Sequence, residues 1–95
     1  MTIYHVKYFD VAPEKRDEVP KIQEEAVQAV KEVEGVEPVG LFFPRGSGYM
    51  YASVTKYKDY VTWEKWWFSA AMRKIGEKIH PIMTREMDMF SDESI

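Results

Sequence analysis

Along the chain, the first periodic segment is TIYHVKYFDV, residues 2–11, a run of β-branched and aromatic residues that stops at Ala12-Pro13. Its composition and its ending predict a strand. In the following PEKRDEVPKIQEEAVQAVKEVEG, Val19, Ile22, Ala26, Ala29, Val30 and Val33 recur on one side at helical spacing, which predicts an amphipathic helix. Pro20 lacks a backbone donor and would clash one turn back, so a kink or a late start is expected there. Gly35 followed by Val36 predicts a Schellman ending, with glycine in the left-handed position. EPVGLFF (37–43) and YMYASVT (49–55) flank the turn sequence PRGSG and predict a hairpin. A second long helix is expected from Tyr57 to His80, stopped by Pro81. TREMDMF (84–90) alternates as a last strand, and SDESI (91–95) is expected as a loose acidic tail.

The resulting order is βαββαβ in one domain over residues 1–90. This is the split βαβ, ferredoxin-like α+β arrangement: a four-stranded antiparallel sheet with two helices on one face. Both parities of the strands are apolar. Ile3 and Phe9 oppose Tyr4, Val6 and Tyr8 in the first strand, and Val39, Leu41 and Phe43 oppose Phe42 in the second. Two helices cover one sheet face only, so a second copy packed sheet against sheet is the economical way to cover the other.

Composition narrows the function classes. Lys+Arg 13 against Asp+Glu 16 gives a formal charge of -3, which disfavours nucleic acid and anionic membranes as partners. With no cysteine, thiol nucleophiles, disulfides and thiolate metal sites are excluded. The two histidines, His5 and His80, lie far apart without a carboxylate at ligand spacing, so no metal site is expected. The RGSG turn lacks the lysine of a phosphate loop and joins two strands. No apolar run reaches the length of a membrane span or a signal-peptide core, and a cytoplasmic protein without a cofactor is the expectation.

The second helix holds all three tryptophans within TWEKWW, residues 62–67. Projected at about 100° per residue, Val61, Phe68, Met72, Ile75 and Ile79 form one stripe, predicted as core. Trp67 falls at its boundary, Trp63 further round, and Trp66 nearly opposite. Trp66 is therefore expected at an exposed or partner-facing position, a face through which a higher oligomer would form.

The strand opening IYHVKYFDVAPEK, the helix ending EGVEP and the aromatic second helix, taken with the element order and length, resemble the dimeric α+β barrel superfamily. That superfamily includes antibiotic-biosynthesis monooxygenases, stress-responsive barrel polyketide cyclases, muconolactone isomerases and heme-degrading monooxygenases. The resemblance implies a homodimer through the sheet faces and a small-molecule pocket between sheet and helices in each subunit. Heme-degrading members carry a strand asparagine, a helix tryptophan and a histidine about three turns later. This chain has no asparagine, and His80 follows Trp66 by roughly 21 Å of helix. His5 matches the strand histidine of the cyclases, whose second pocket histidine has no counterpart between Thr55 and Lys74.

In the implied strand order the last strand lies beside the first, which brings Glu86 or Asp88 within reach of His5. A histidine oriented by a carboxylate is suited to general-base work. His5, Asp88 and Glu86 are thus the candidate catalytic residues. Lys7 and Phe9 share the parity of His5 and, with Trp63, Trp67 and Met72, are the candidate ligand-binding residues. A shift of parity by one residue would substitute Tyr4 and Tyr8. The expected function is a cofactor-independent enzyme of monooxygenase, isomerase or cyclase type acting on a small aromatic or hydrophobic substrate. The alternatives are a non-enzymatic ligand-binding or self-assembly module, and a heme-binding protein.

Overall fold

The computed structural model describes residues 1–93. Strand β1 (Ile3–Val11), helix α1 (Val19–Val30), strands β2 (Val36–Phe42) and β3 (Tyr51–Tyr57), helices α2 (Tyr60–Trp67) and α3 (Ala70–Ile79) and strand β4 (Met83–Asp92) follow one another along the chain. Short 3-10 turns at Pro13–Glu18 and His80–Ile82 join β1 to α1 and α3 to β4. The four strands form one antiparallel sheet in the spatial order β2-β3-β1-β4.

Alternation within β1 divides the sheet into two faces. Ile3, His5, Phe9 and Val11 are buried on the helix side, and the register places Tyr57, Thr55, Ser53 and Tyr51 of β3 beside Ile3, His5, Lys7 and Phe9. On the helix side, Val19, Ile22 and Val30 of α1 and Ile75 of α3 close a core over Ile3, Phe9, Tyr51 and Tyr57. The opposite face carries Val6, Tyr8, Val54, Phe42, Met87 and Met89 in register, with no helix over it. Phe42, Met87 and Met89 are exposed there.

Pro20 resolves as a late start. A 3-10 turn precedes it, and it occupies the first turn of α1, where no backbone donor is needed. Gly35 does adopt the left-handed region at φ 84°, but α1 has ended five residues earlier, at Val30, so the glycine serves the turn into β2 and does not cap the helix. β3 begins at Tyr51, two residues later than expected, because the hairpin connection extends to Met50. There the Met50 N–H is held by Asp10 Oδ1 at 2.7 Å. At the other end of the chain β4 runs on through Asp92, and the Glu93 N–H donates to the Thr2 carbonyl at 2.9 Å. Of the stretch expected as a loose tail, residues 91 and 92 are therefore strand, and 94 and 95 lie outside the described residues.

The long second helix is two helices, and the cause is Ser69. Its hydroxyl accepts the Met72 N–H at 3.1 Å as the N-cap of α3 and donates to the Trp66 carbonyl at 2.7 Å. Serine competes for backbone partners in this way, which makes it a better cap than an interior helix residue. In α3 the expected stripe survives: Ile75 is buried and Met72 and Ile79 pack against the core. Carried back across Ser69 the phase is lost, and Val61 and Phe68 are 61% and 70% exposed. The inward face of α2 is instead Thr62, Trp63, Trp66 and Trp67. Trp66, expected to point outward, is 6% exposed within the core, so it offers no face for a higher oligomer.

Candidate functional site

On the helix side of the sheet, β1 and β4 bring a polar cluster to the rim of an apolar cavity. His5 Nε2 lies 2.7 Å from Asp88 Oδ1, and Lys7 Nζ lies 3.2 Å from Asp88 Oδ1 and 3.4 Å from Glu86 Oε2. Strand pairing sets this up: His5 is opposite Phe90 and Lys7 opposite Asp88, so Asp88 sits diagonally from His5 and directly across from Lys7. Glu86 touches Lys7, not His5, and its register partner is Phe9.

His5 is 5% exposed although it is polar. Its ring stacks on Phe90 with centroids 4.5 Å apart and planes 9° apart, and meets Trp67 edge to face at 5.2 Å. Lys7 Nζ stands 5.5 Å from the Trp67 ring, a cation–π distance. The imidazole is thus fixed by two aromatic faces and one carboxylate.

The protonation pattern follows from Asp88. Burial pushes its carboxyl up, but the hydrogen bond from His5 and the charge and hydrogen bond of Lys7 together outweigh that, and the net shift is downward. At neutral pH Asp88 is a carboxylate, which only accepts hydrogen bonds. The 2.7 Å contact is therefore a hydrogen bond that the His5 Nε2–H donates to Asp88 Oδ1. Nδ1 has no hydrogen-bond partner among the described residues.

The cavity, about 110 Å³ in volume, lies between the sheet and α1, α2 and α3. His5, Lys7 and Phe9 form its floor with Ser53, Thr55 and Tyr57; Val19, Ile22, Gln23 and Ala26 of α1 roof one side, and Trp66, Trp67, Met72, Ile75 and His80 the other. An apolar cavity of roughly 150 Å³ takes up benzene, so a single small aromatic ring is the scale of ligand this space suits.

Among the residues expected from the sequence, His5, Lys7, Phe9, Trp67 and Met72 line this cavity. Asp88 and Glu86 are not among the lining residues; Asp88 touches His5, and Glu86 touches Lys7. Trp63 does not line it. It stands behind Trp67 at 5.9 Å and against Phe90 at 5.2 Å, with its indole N–H buried and unpartnered.

Gln23, Ser53, Thr55, Tyr57 and His80 are lining residues that sequence reasoning missed. Burial raises the Tyr57 hydroxyl pKa far above its ordinary value, partly offset by a hydrogen bond with Thr55, so the phenol stays protonated. The signal for the β3 residues was present: in YASVTKY the positions Tyr51, Ser53, Thr55 and Tyr57 share one parity, which the register places beside β1's inward face. His80 reaches the same cavity as Trp66 because the break at Ser69 lets the chain change direction between them, which a continuous helix would not.

No protein-family model matches the chain, and no curated protein sequence does. Solved structures do. A conserved protein from Methanosarcina mazei Go1 superposes with a TM-score of 0.87 at 15% identity, over 99% of this chain and 94% of that one. A protein provisionally named an antibiotic biosynthesis monooxygenase from Caulobacter crescentus CB15 gives 0.85 at 17% identity, over 99% and 91%. A dimeric ferredoxin-like protein of unknown function from Jannaschia sp. CCS1 gives 0.86 at 11% identity, over 98% and 100%. The chain has the ferredoxin-like fold of these proteins. In this ferredoxin-like chain the cavity lies on the helix-covered side, and the uncovered side is the apolar face that carries Val6 and Met89. Among the described residues no helix is long and apolar enough to cross a membrane, and no group of three or more metal-ligating side chains is assembled.

Proposed function

We propose that this protein is a homodimer that binds a small aromatic or hydrophobic molecule in each subunit and removes a proton from it with His5. The observation that carries this reading is a buried histidine whose Nε2–H is held by the Asp88 carboxylate at 2.7 Å at the rim of a largely apolar cavity. A histidine needs little tuning to accept protons near neutral pH, and an orienting carboxylate stabilises the imidazolium that forms. Monooxygenase, isomerase and cyclase chemistries on such substrates can all begin by making a carbanion or phenolate, and general-base assistance contributes roughly 10² to 10⁴ in rate. Among these, the monooxygenase reading is supported by a solved neighbour of the same fold that is provisionally named an antibiotic biosynthesis monooxygenase.

The uncovered sheet face supports the dimer. Phe42, Met87 and Met89 are exposed in register with Val6, Tyr8 and Val54, an apolar surface that water covers at a cost and a second copy would cover favourably. The Jannaschia protein of the same fold is described as dimeric.

A neutral probe tests the base. In 1,2-benzisoxazole, removal of the proton on the carbon beside nitrogen breaks the N–O bond and yields 2-cyanophenolate, with no other reactant. The wild-type protein is expected to accelerate this opening over buffer and His5→Ala to abolish the gain. Acceleration that persists in His5→Ala would overturn the assignment, and tight binding of the probe without turnover would leave a binding module in place of an enzyme.

A further inference from the structure

Opposite the His5–Asp88 pair, the cavity contains a second polar arrangement that the proton-transfer reading does not use. Ser53 Oγ donates to Gln23 Oε1 at 3.2 Å, linking the floor of the sheet to the overlying α1. Both residues line the cavity and both are partly buried. The bond occupies the carbonyl end of the Gln23 amide, and the NH₂ end has no hydrogen-bond partner among the described residues. Ser53 thus orients the amide so that a donor remains for whatever enters. Ser53 is also the β1 register partner of Lys7, which places this donor across the floor from the charged cluster.

Charge narrows the ligand further. The one ammonium at the rim, Lys7, faces two carboxylates, Asp88 at 3.2 Å and Glu86 at 3.4 Å. Its positive charge is consumed locally and a net negative charge remains, so an anionic ligand gains no unopposed cation there and meets repulsion from the second carboxylate. A neutral oxygen acceptor meets no such penalty, and it satisfies the free amide donor.

We propose that Gln23, oriented by Ser53, is the specificity-determining residue of the cavity, and that it selects a neutral aromatic molecule bearing a carbonyl-type hydrogen-bond acceptor over its hydrocarbon or carboxylate counterpart. The selection rests on the cavity being the ligand site, as proposed above. A neutral hydrogen bond gained on binding, set against an unpaired polar group left behind, corresponds to about a tenfold preference.

Three probes of one shape class test it: acetophenone, ethylbenzene and benzoate, each titrated while the Trp67 indole N–H resonance is followed by NMR. Acetophenone is expected to bind about tenfold tighter than ethylbenzene, with benzoate weakest. Gln23→Leu should erase the acetophenone advantage while leaving ethylbenzene binding in place, and Ser53→Ala should reduce it by releasing the amide. An unchanged acetophenone-to-ethylbenzene ratio in Gln23→Leu overturns the proposal and spares the cavity reading. Stronger binding of benzoate than of acetophenone overturns it as well. If none of the three binds the wild-type protein, the cavity is not the ligand site, and both readings fall together.

Discussion

Trp66 and Phe68 lie two residues apart and occupy opposite environments. Trp66 is 6% exposed in the core, whereas Phe68 is 70% exposed at the end of α2. Trp66→Ala removes a large buried ring and leaves a cavity, which costs about 3–5 kcal/mol at fully packed sites. A domain of this size has a total stability of roughly 5–14 kcal/mol, and each kcal/mol moves the melting temperature by about 4–8 °C. Trp66→Ala should therefore melt at least ~12 °C below wild type, at the edge of folding. Phe68→Ala, an exposed substitution, should stay within about 0.5 kcal/mol. Urea denaturation followed by circular dichroism, with thermal melts at fixed protein concentration, reads both. A Trp66→Ala protein of near wild-type stability, with a large loss in Phe68→Ala, would mean that α2 presents the opposite face to the core and that the interruption at Ser69 does not exist.

Three further outcomes follow from the same structure. Ser69→Ala removes the cap of α3 and the bond to the Trp66 carbonyl, and should cost about 1 kcal/mol in urea denaturation; a neutral result would indicate one continuous helix. Asp88 has a lowered folded-state pKa, so its stabilisation is fully present above the unfolded value of 3.8 and is lost as pH falls through the lower folded value. Wild type should thus lose stability relative to Asp88→Asn only on acidification below about pH 5, measured as urea midpoints at stepped pH, and parallel curves throughout would contradict the pairing. Met89→Lys places a charge on the uncovered sheet face opposite Val6 and should shift the light-scattering mass from dimer to monomer without unfolding the chain; a dimer that survives it would place the interface elsewhere.

The legible parts of the fold were those where period and punctuation agree. The β-branched and aromatic run TIYHVKYFDV ending at Ala12-Pro13, the helical spacing from Val19 to Val30 and the turn residues 44–48 each imply one local structure, and apolar residues at both strand parities implied a sheet needing cover on two sides. Helix phase failed because it is a running sum. A single capping serine resets it, and Val61, Trp66 and Phe68, assigned by extrapolation across Ser69, changed sides, Trp66 most of all. In the site, the His5–Asp88 contact was readable because register across paired strands is discrete, once the strand order is known. Gln23 was not, because it flanks the apolar stripe of α1, where a polar residue equally suits solvent, and only its contact with Ser53 on a distant strand gives it a role. Trp63 was overread: it shares an aromatic cluster with Trp67, but only one of two stacked rings can form the wall of the cavity.

For His5 to be the base, Asp88 must fix its proton on Nε2 and leave Nδ1 free to accept another. The imidazole ¹⁵N shifts of His5 at neutral pH measure this directly, by long-range ¹⁵N–¹H correlation. A protonated, pyrrole-type Nε2 and an unprotonated, pyridine-type Nδ1 are expected in the wild-type protein, with the two forms mixing in Asp88→Asn. A proton on Nδ1 in the wild type, with Nε2 bare against the carboxylate, would contradict it.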